Sequence, residues 1–236
     1  MQWTLVIPLK PLPRAKSRLA DTAGDGLRPG LALAFAQDTV AAALACAAVR
    51  EVAVVTGDPL AGRELAALGA RIVPDEPVGG LNAALAHASA VVRSWHPSGA
   101  VTGLVRDTAP SATGAAGAVA ALNADLPALR PAELLRVLDA AAAFPRAFLA
   151  DAAGVGTTLL AAAPGHELRP AFGTDSRRRH RASGAVELAL AGVESVRQDV
   201  DTGADLRTAL ALGVGPRTTT ATAGLALPGR PLTPGQ

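Results

Sequence analysis

A regular alternation of short apolar segments with longer Ala- and Leu-rich segments constrains the fold of this chain more than any other feature. Residues 3–8 form an apolar run, rich in β-branched side chains, that ends in proline, as is typical of a buried strand. Residues 79–93 repeat apolar side chains at three- and four-residue spacing, which is typical of a helix. Strands that alternate with helices in this way predict an α/β fold with a mixed, mainly parallel sheet and helices on both faces.

The same patterns assign the remaining elements. Predicted strands span residues 3–8, 51–56, 70–73, 118–122, 146–150 and 157–163, and residues 193–199 are predicted to be extended. Predicted helices span residues 30–49, 59–68, 79–93, 131–143, 176–190 and 204–212. We expect one domain over residues 1–214, an exposed insertion at 98–117, and a disordered tail over 215–236, where Pro, Gly and Thr predominate.

Composition and charge exclude several classes of protein. The chain has 236 residues, of which 50% are hydrophobic and 18% charged, with a net charge of +2. These values exclude a disordered chain and a polybasic nucleic-acid-binding tail. The longest apolar run, residues 40–49, is shorter than the roughly 18 residues of a membrane span, and the N-terminus lacks the basic segment of a secretory signal. We therefore expect a cytoplasmic protein with no nucleic-acid or membrane partner.

The only two lysines of the chain, Lys10 and Lys16, lie in one short loop after the first strand. Arg14 and Arg18 belong to the same loop. Because α/β folds bind ligands beyond the carboxyl ends of their strands, these cations favour the phosphates of a nucleotide, in particular a triphosphate. The loop matches neither the P-loop nor the dinucleotide-binding fingerprint, and chance placement on a solvated loop stays open.

Paired glycines open the helix that follows the third strand. Gly79 and Gly80 carry no side chain, so a flat base or a ribose can approach the backbone there. The carboxamide of Asn82 can read the edge of a base. An ordinary loop with Asn near a helix start is the alternative.

Three acidic residues follow predicted strands or extended segments. Asp125 comes shortly after strand 118–122, and Asp199 and Asp201 lie on the same side of an extended segment by its two-residue period. Like charges that approach each other are costly unless a cation separates them, and Mg²⁺ prefers oxygen ligands. The three carboxylates therefore predict a magnesium site, although a turn or helix-cap aspartate is the alternative for Asp125 alone.

Two further segments, 154–158 and 171–181, combine glycines and hydroxyls with a basic helix start. Backbone N–H groups at Ser176 and the basic side chains after it favour an acidic substrate, although a solvated basic helix face is the alternative for each arginine. The four histidines show neither metal-ligand spacing nor the order of a catalytic triad, and we interpret each as a core or surface residue. A reaction that needs no protein base, such as nucleotidyl transfer to an anionic acceptor, fits this set.

Six motifs in register over about residues 3–214 resemble the guanylyltransferases of coenzyme F420 biosynthesis, which act on 2-phospho-L-lactate or phosphoenolpyruvate. The segments that carry the resemblance are residues 8–19, 79–82, 124–127, 156–158, 172–180 and 199–206. The resemblance implies a nucleotidyltransferase fold related to glycosyltransferase-A proteins. It also implies that GTP and a small phosphorylated C3 acid yield a guanosine diphospho-acid and pyrophosphate.

The resemblance assigns a role to each matched residue. It implies that Asp125, Asp199 and Asp201 hold Mg²⁺, that Thr157, Gly173 and Ser176 bind the carboxylate of the acceptor, that Lys10, Lys16 and Arg18 are catalytic cations facing the GTP phosphates, and that Gly80 and Asn82 contact the nucleoside. The Ala- and Arg-rich composition favours a bacterial source and hence phosphoenolpyruvate. A nucleotidyltransferase for sugar phosphates or molybdopterin, and a non-catalytic nucleotide-binding regulator, stay open as alternatives, as does a homodimer.

Overall fold

The computed structural model describes residues 1–16, 19–76, 79–95 and 117–225, which contain one seven-stranded sheet. The strands are β1 Trp3–Pro8, β2 Val49–Val55, β3 Arg71–Val73, β4 Ala118–Leu122, β5 Arg146–Ala150, β6 Thr157–Ala162 and β7 Val186–Glu187. The helices are α1 Ala20–Leu44, α2 Pro59–Ala66, α3 Leu81–Ser94, α4 Pro131–Ala141, α5 Ser176–Ala182, α6 Glu194–Arg197, α7 Gly203–Leu212 and α8 Pro216–Thr222. A short 3-10 helix, Leu12–Arg14, follows β1.

The order and directions of the strands place the carboxyl ends of most of them at one edge of the sheet. The sheet runs β3-β2-β1-β4-β6-β5-β7, and β6 pairs antiparallel with both β4 and β5. The other pairs are parallel. The carboxyl ends of β1 to β5 therefore meet the amino end of β6 at the same edge. This arrangement confirms the predicted α/β fold with a mixed, mainly parallel sheet.

Side chains of β1 alternate between two hydrophobic cores, one on each face of the sheet. Leu5 and Ile7 pack in a core with apolar residues of α1, α2 and α4, whereas Val6 packs in a second core with Leu85 of α3. Because helices cover both faces, β1 is apolar throughout rather than alternately polar. Each such buried side chain stabilises the fold by about 1.5–3 kcal/mol.

Two predicted segments are wrong in part. The predicted helix 176–190 ends at Ala182, because Gly184 adopts a left-handed φ of 83° and the chain then pairs as β7 with β5. Residues 193–199, predicted to be extended, contain α6. Glu133 of α4 accepts a hydrogen bond from the backbone N–H of Ser195 at 2.9 Å, a contact distant in sequence that periodicity cannot reveal.

The predicted disordered tail is wrong for the part of it that the structure describes. Residues 216–222 form α8, which packs on α1 and buries Thr218 and Thr222. The carboxylate of Asp38 on α1 accepts hydrogen bonds from the backbone N–H groups of Arg217 at 3.2 Å and Thr218 at 2.7 Å. These bonds satisfy N–H groups that every helix start leaves free, so the helix depends on a residue far away in the sequence.

Two other predictions concern the boundaries of the fold. Helix α1 begins at Ala20, well before the predicted start, and continues through Pro29, whose fixed φ suits a helix at the cost of one backbone hydrogen bond. The predicted insertion lies outside the described residues except for Gly117, which directly precedes β4. Within the described part of the chain, every helix is too short or too polar to cross a bilayer.

Candidate active site

A cavity of about 780 Å³ opens at the carboxyl edge of the sheet. Its walls come from the loops after β1, β3 and β4 and from the segment that precedes α7. The lining includes Lys10, Arg14, Lys16, Asp75, Gly79, Gly80, Asp125, Asp199 and Asp201. A volume of this order suits a small-molecule ligand.

Backbone and carboxylate contacts hold the basic loop over this cavity. This loop is the segment after β1 that carries Lys10, Arg14 and Lys16. Leu9 donates its backbone N–H to the carbonyl of Val55 at 2.9 Å. The N–H of Leu12 donates to Oδ2 of Asp58, which lies after β2, also at 2.9 Å. The loop thus brings Lys10 and Lys16 to the cavity, whereas Arg18 lies outside the described residues.

The three predicted metal-binding acids line the same cavity, and a lysine joins two of them. The ammonium of Lys16 contacts Oδ2 of Asp125 and lies 2.8 Å from Oδ1 of Asp201. Although burial opposes the change, these carboxylates raise the pKa of Lys16 above its ordinary value. Burial, followed by the charges of Asp125, Asp201 and Asp151, raises the pKa of Asp199 well above its usual range. In the absence of a further cation, Asp199 therefore holds a proton more readily than an ordinary aspartate.

This cluster fits a divalent cation by its chemistry. Its ligands are carboxylate oxygens, and Oδ1 of Asp125 is buried without a hydrogen-bond partner among the described residues. As the described side chains stand, however, no three His, Cys, Asp or Glu groups are arranged to hold a metal ion. The ammonium of Lys16, which the sequence assigned to the GTP phosphates, instead bonds two of the three carboxylates.

The residues predicted to bind the acceptor lie beside the cavity rather than in its wall. Thr157 begins β6, which pairs with β4, and the carbonyl of Thr158 accepts the N–H of Asn123 at 2.9 Å. Gly173 has a left-handed φ of 106°, and its carbonyl accepts the N–H of Ser176 at 3.1 Å. Thr157 and Ser176 are both buried.

The carboxamide of Asn82, which is predicted to contact the nucleoside, forms two hydrogen bonds with the backbone of Phe172. Its Oδ1 accepts the N–H of Phe172 at 2.8 Å, and its Nδ2 donates to the carbonyl of the same residue at 3.1 Å. Both polar groups of the carboxamide therefore hold the loop before Gly173. Gly80 lines the cavity at the start of α3 with a left-handed φ of 81°, which favours glycine at this position.

Sequence analysis missed two residues at this edge. Asp151, after β5, accepts the N–H groups of Val155 at 2.9 Å and Gly156 at 2.7 Å. A Cβ atom on Gly156 would lie 2.3 Å from the Asp151 carboxylate, so any larger residue there would force this carboxylate to move. His180 is fully buried and hydrogen-bonded to Thr157. Its only signal in the sequence was its place in the 172–180 motif.

The fold is that of nucleotidyltransferases of the glycosyltransferase-A type. The structure of 4-diphosphocytidyl-2C-methyl-D-erythritol synthase matches with a TM-score of 0.54 at 11% identity, covering 89% of this chain and 98% of that chain. The structure of CMP:2-keto-3-deoxy-manno-octonic acid synthetase with CTP matches with a TM-score of 0.51 at 18% identity, covering 90% and 98%. The fold that the resemblance implied is thus confirmed.

Sequence relatives identify the family, although no family model matches the chain. Phosphoenolpyruvate guanylyltransferase of Streptomyces avermitilis is 77% identical over 97% of this chain and 98% of its own length. The Streptomyces coelicolor protein of the same name is 70% identical over 98% and 100%, and that of Thermomonospora curvata is 59% identical over 92% and 87%. The chain belongs to the phosphoenolpyruvate guanylyltransferase family of enzymes, which confirms the resemblance found in the sequence.

Proposed function

We propose that this enzyme transfers GMP from GTP to the phosphate of phosphoenolpyruvate and releases pyrophosphate. One observation carries the proposal: cations and carboxylates meet at one cavity in a chain that is 77% identical to the phosphoenolpyruvate guanylyltransferase of Streptomyces avermitilis. The proposed substrates are cytoplasmic metabolites, so we also propose that the enzyme acts in the cytoplasm. Its place in coenzyme F420 biosynthesis and a homodimeric state stay predictions.

The strand order supports an arrangement of the two substrates along the sheet edge. Gly79 and Gly80, which follow β3, leave room for the nucleoside, whereas Asp125 follows β4. Three strand spacings separate β3 from β4, or about 14 Å. The nucleoside therefore lies on the β3 side, the α-phosphate near Asp125, and the acceptor toward Thr157 at the start of β6.

The chemistry in this arrangement is charge neutralisation and positioning. The acceptor phosphate is ionised at pH 7, so no protein side chain has to remove a proton before it attacks the α-phosphate. Lys10 and Arg14 at the cavity bring positive charge to the triphosphate, which favours departure of pyrophosphate. Asp125, Asp199 and Asp201 would hold Mg²⁺, which supplies further neutralisation of the reacting phosphates. With Mg²⁺ held by these acids, the ammonium of Lys16, which here contacts Asp125 and Asp201, would be available to the phosphates.

Pyrophosphate release from matched substrate pairs tests this proposal. GTP, ATP and CTP are each offered with phosphoenolpyruvate or 2-phospho-L-lactate in the presence of Mg²⁺. We expect release with GTP and phosphoenolpyruvate, and rates lower by about tenfold or more for the other nucleotides. A folded sample that binds GTP but releases no pyrophosphate with either acid would overturn the proposal. Faster release with 2-phospho-L-lactate would overturn the assignment of the acceptor.

A further inference from the structure

His180 is a buried side chain that joins two separate parts of the proposed acceptor site. Its Nδ1 atom lies 2.9 Å from Oγ1 of Thr157 on β6. Its Nε2 atom lies 2.9 Å from the backbone nitrogen of Ala171, in the loop that leads to Gly173. One imidazole on α5 therefore connects two elements that the resemblance assigns to the acceptor.

The chemistry of the partners fixes the direction of both hydrogen bonds. A backbone N–H can only donate, so Nε2 must accept the bond from Ala171 and carry no proton. A neutral imidazole then carries its proton on Nδ1. It follows that His180 donates to Oγ1 of Thr157.

The surroundings of His180 keep the imidazole neutral. Burial, and then the positive charges of Arg146 and Arg179, lower the pKa of His180 to about 4. The rings of Phe148 and Phe172 lie 5.7 and 5.0 Å from the imidazole, centroid to centroid. An imidazolium would carry protons on both nitrogens and would lose the bond from Ala171, so this environment stabilises the form that makes both bonds.

The bond from His180 determines what the Thr157 hydroxyl can do. Because Oγ1 accepts the hydrogen bond that Nδ1 donates, the hydrogen of the hydroxyl itself must point elsewhere, and it has no other partner among the described residues. We propose that His180 is a positioning residue that orients the Thr157 hydroxyl as a hydrogen-bond donor to the carboxylate of the acceptor. The inference rests on the proposed function, in which Thr157 binds that carboxylate.

Two substitutions of His180 separate its two hydrogen bonds. In His180→Asn, the side-chain amide can occupy the position of Nδ1 and still donate to Thr157, but it cannot reach Ala171. In His180→Gln, the amide oxygen can occupy the position of Nε2 and accept from Ala171, but it cannot reach Thr157. Thr157→Val removes the hydroxyl itself at nearly constant shape.

Steady-state kinetics of the full-length enzyme with GTP and phosphoenolpyruvate provide the test. We expect Thr157→Val and His180→Gln each to raise KM for the acid by about tenfold or more, because a hydrogen bond to a charged group is lost or misdirected. KM for GTP should change less than about twofold in both variants. His180→Asn should raise KM for the acid less than His180→Gln does, and the double variant His180→Gln/Thr157→Val should match Thr157→Val alone.

The pattern among the variants decides the inference. Equal increases in both KM values, additive effects in the double variant, or a His180→Asn enzyme as impaired as His180→Gln would overturn it. A thermal melt of each variant accompanies the kinetics, so that a folding defect is recognised as such.

Nitrogen–proton correlation NMR tests the geometry without any turnover. Wild-type protein at pH 7 should show one histidine in the Nδ1–H form whose signals are absent from His180→Asn. The Nε2–H form at His180 would overturn the inference even in an active enzyme. An enzyme that is inactive with phosphoenolpyruvate but shows the Nδ1–H form would instead count against the proposed function.

Discussion

The carboxylates at the cavity are the residues on which the proposed chemistry most depends. Asp125 lines the cavity with one oxygen bonded to Lys16 and the other buried without a partner in the described structure. Removing its charge should therefore impair the reaction more than the fold.

We expect Asp125→Asn to lower kcat by about a hundredfold or more, because it weakens the stabilisation of charge in the transition state. Pyrophosphate release measures the loss. Asp139→Asn, which neutralises an exposed carboxylate on α4, is the matched control and should keep wild-type activity. Comparable rates for Asp125→Asn and wild type would contradict the role of this residue.

A second prediction concerns the contribution of His180 to the pH dependence of the free energy of unfolding. Its pKa is about 4 in the folded protein and 6.5 ordinarily, so the unfolded chain binds a proton between these values that the folded chain does not. The stability from this group is complete above pH 6.5 and is lost as the pH falls toward 4, by about 3 kcal/mol in all.

Urea unfolding at pH 7 and pH 5 measures this effect. We expect the loss of stability between the two pH values to be smaller in His180→Asn than in the wild type. His87→Asn removes an exposed histidine of α3 and should lose stability as the wild type does. If all three proteins lost stability equally, His180 would not be buried in its neutral form.

Sequence reasoning at the residue scale found the groups but not their partners. Residue types and positions after strands indicated Lys10, Asp125, Asp199 and Asp201 as candidate site residues. The structure places all four around one cavity. The bonds between Lys16 and the acids, and between Asn82 and Phe172, join residues about 90 or more positions apart. Such pairings depend on the packing of several elements, and no local pattern encodes them.

Asp58 connects two elements around the nucleotide side of the cavity. Its Oδ1 accepts the backbone N–H groups of Leu60 at 3.0 Å and Ala61 at 3.1 Å, which caps α2. Its Oδ2 accepts the N–H of Leu12 in the basic loop at 2.9 Å. One carboxylate therefore stabilises a helix with one oxygen and the position of the loop with the other.

Asp58→Asn should separate these two roles. The amide oxygen can still cap α2, but the amide nitrogen cannot accept the N–H of Leu12. We expect KM for GTP to rise by about three- to tenfold, the equivalent of one hydrogen bond, with little change in melting temperature. Asp58→Ala should also lose about 1 kcal/mol of stability because the cap is gone. An unchanged KM for GTP in both variants would show that the loop does not need this bond.

The elements themselves were largely predictable, and the exceptions share a cause. β4 and β5 form over the predicted residues, because buried central strands are apolar along their whole length. α6 and α8 were missed because Glu133 and Asp38, on other helices, accept the N–H groups of their first turns. A short helix that depends on a partner from another element has too little periodicity of its own to be recognised.

α8 stabilises the fold, although none of its residues lines the cavity. It packs on α1 and covers a core that includes Phe35 of α1 and Leu206 of α7. Ending the chain after residue 215 should destabilise the protein by about 2–4 kcal/mol, because Asp38 loses its hydrogen bonds and apolar surface is exposed. A chain that ends after residue 225 keeps all of these contacts and is the matched control. Equal urea midpoints for the two chains would contradict this role of α8.

The most direct test of the proposed transfer follows the phosphates of GTP through the reaction. Two samples of GTP, labelled at the α- or the γ-phosphate, are incubated with the enzyme, Mg²⁺ and phosphoenolpyruvate, and the products are separated. We predict that the α-label appears in a guanosine diphospho-acid and that the γ-label appears in pyrophosphate. Transfer of the γ-label to the acid, or recovery of the α-label only in GTP or GDP, would contradict the proposed guanylyl transfer.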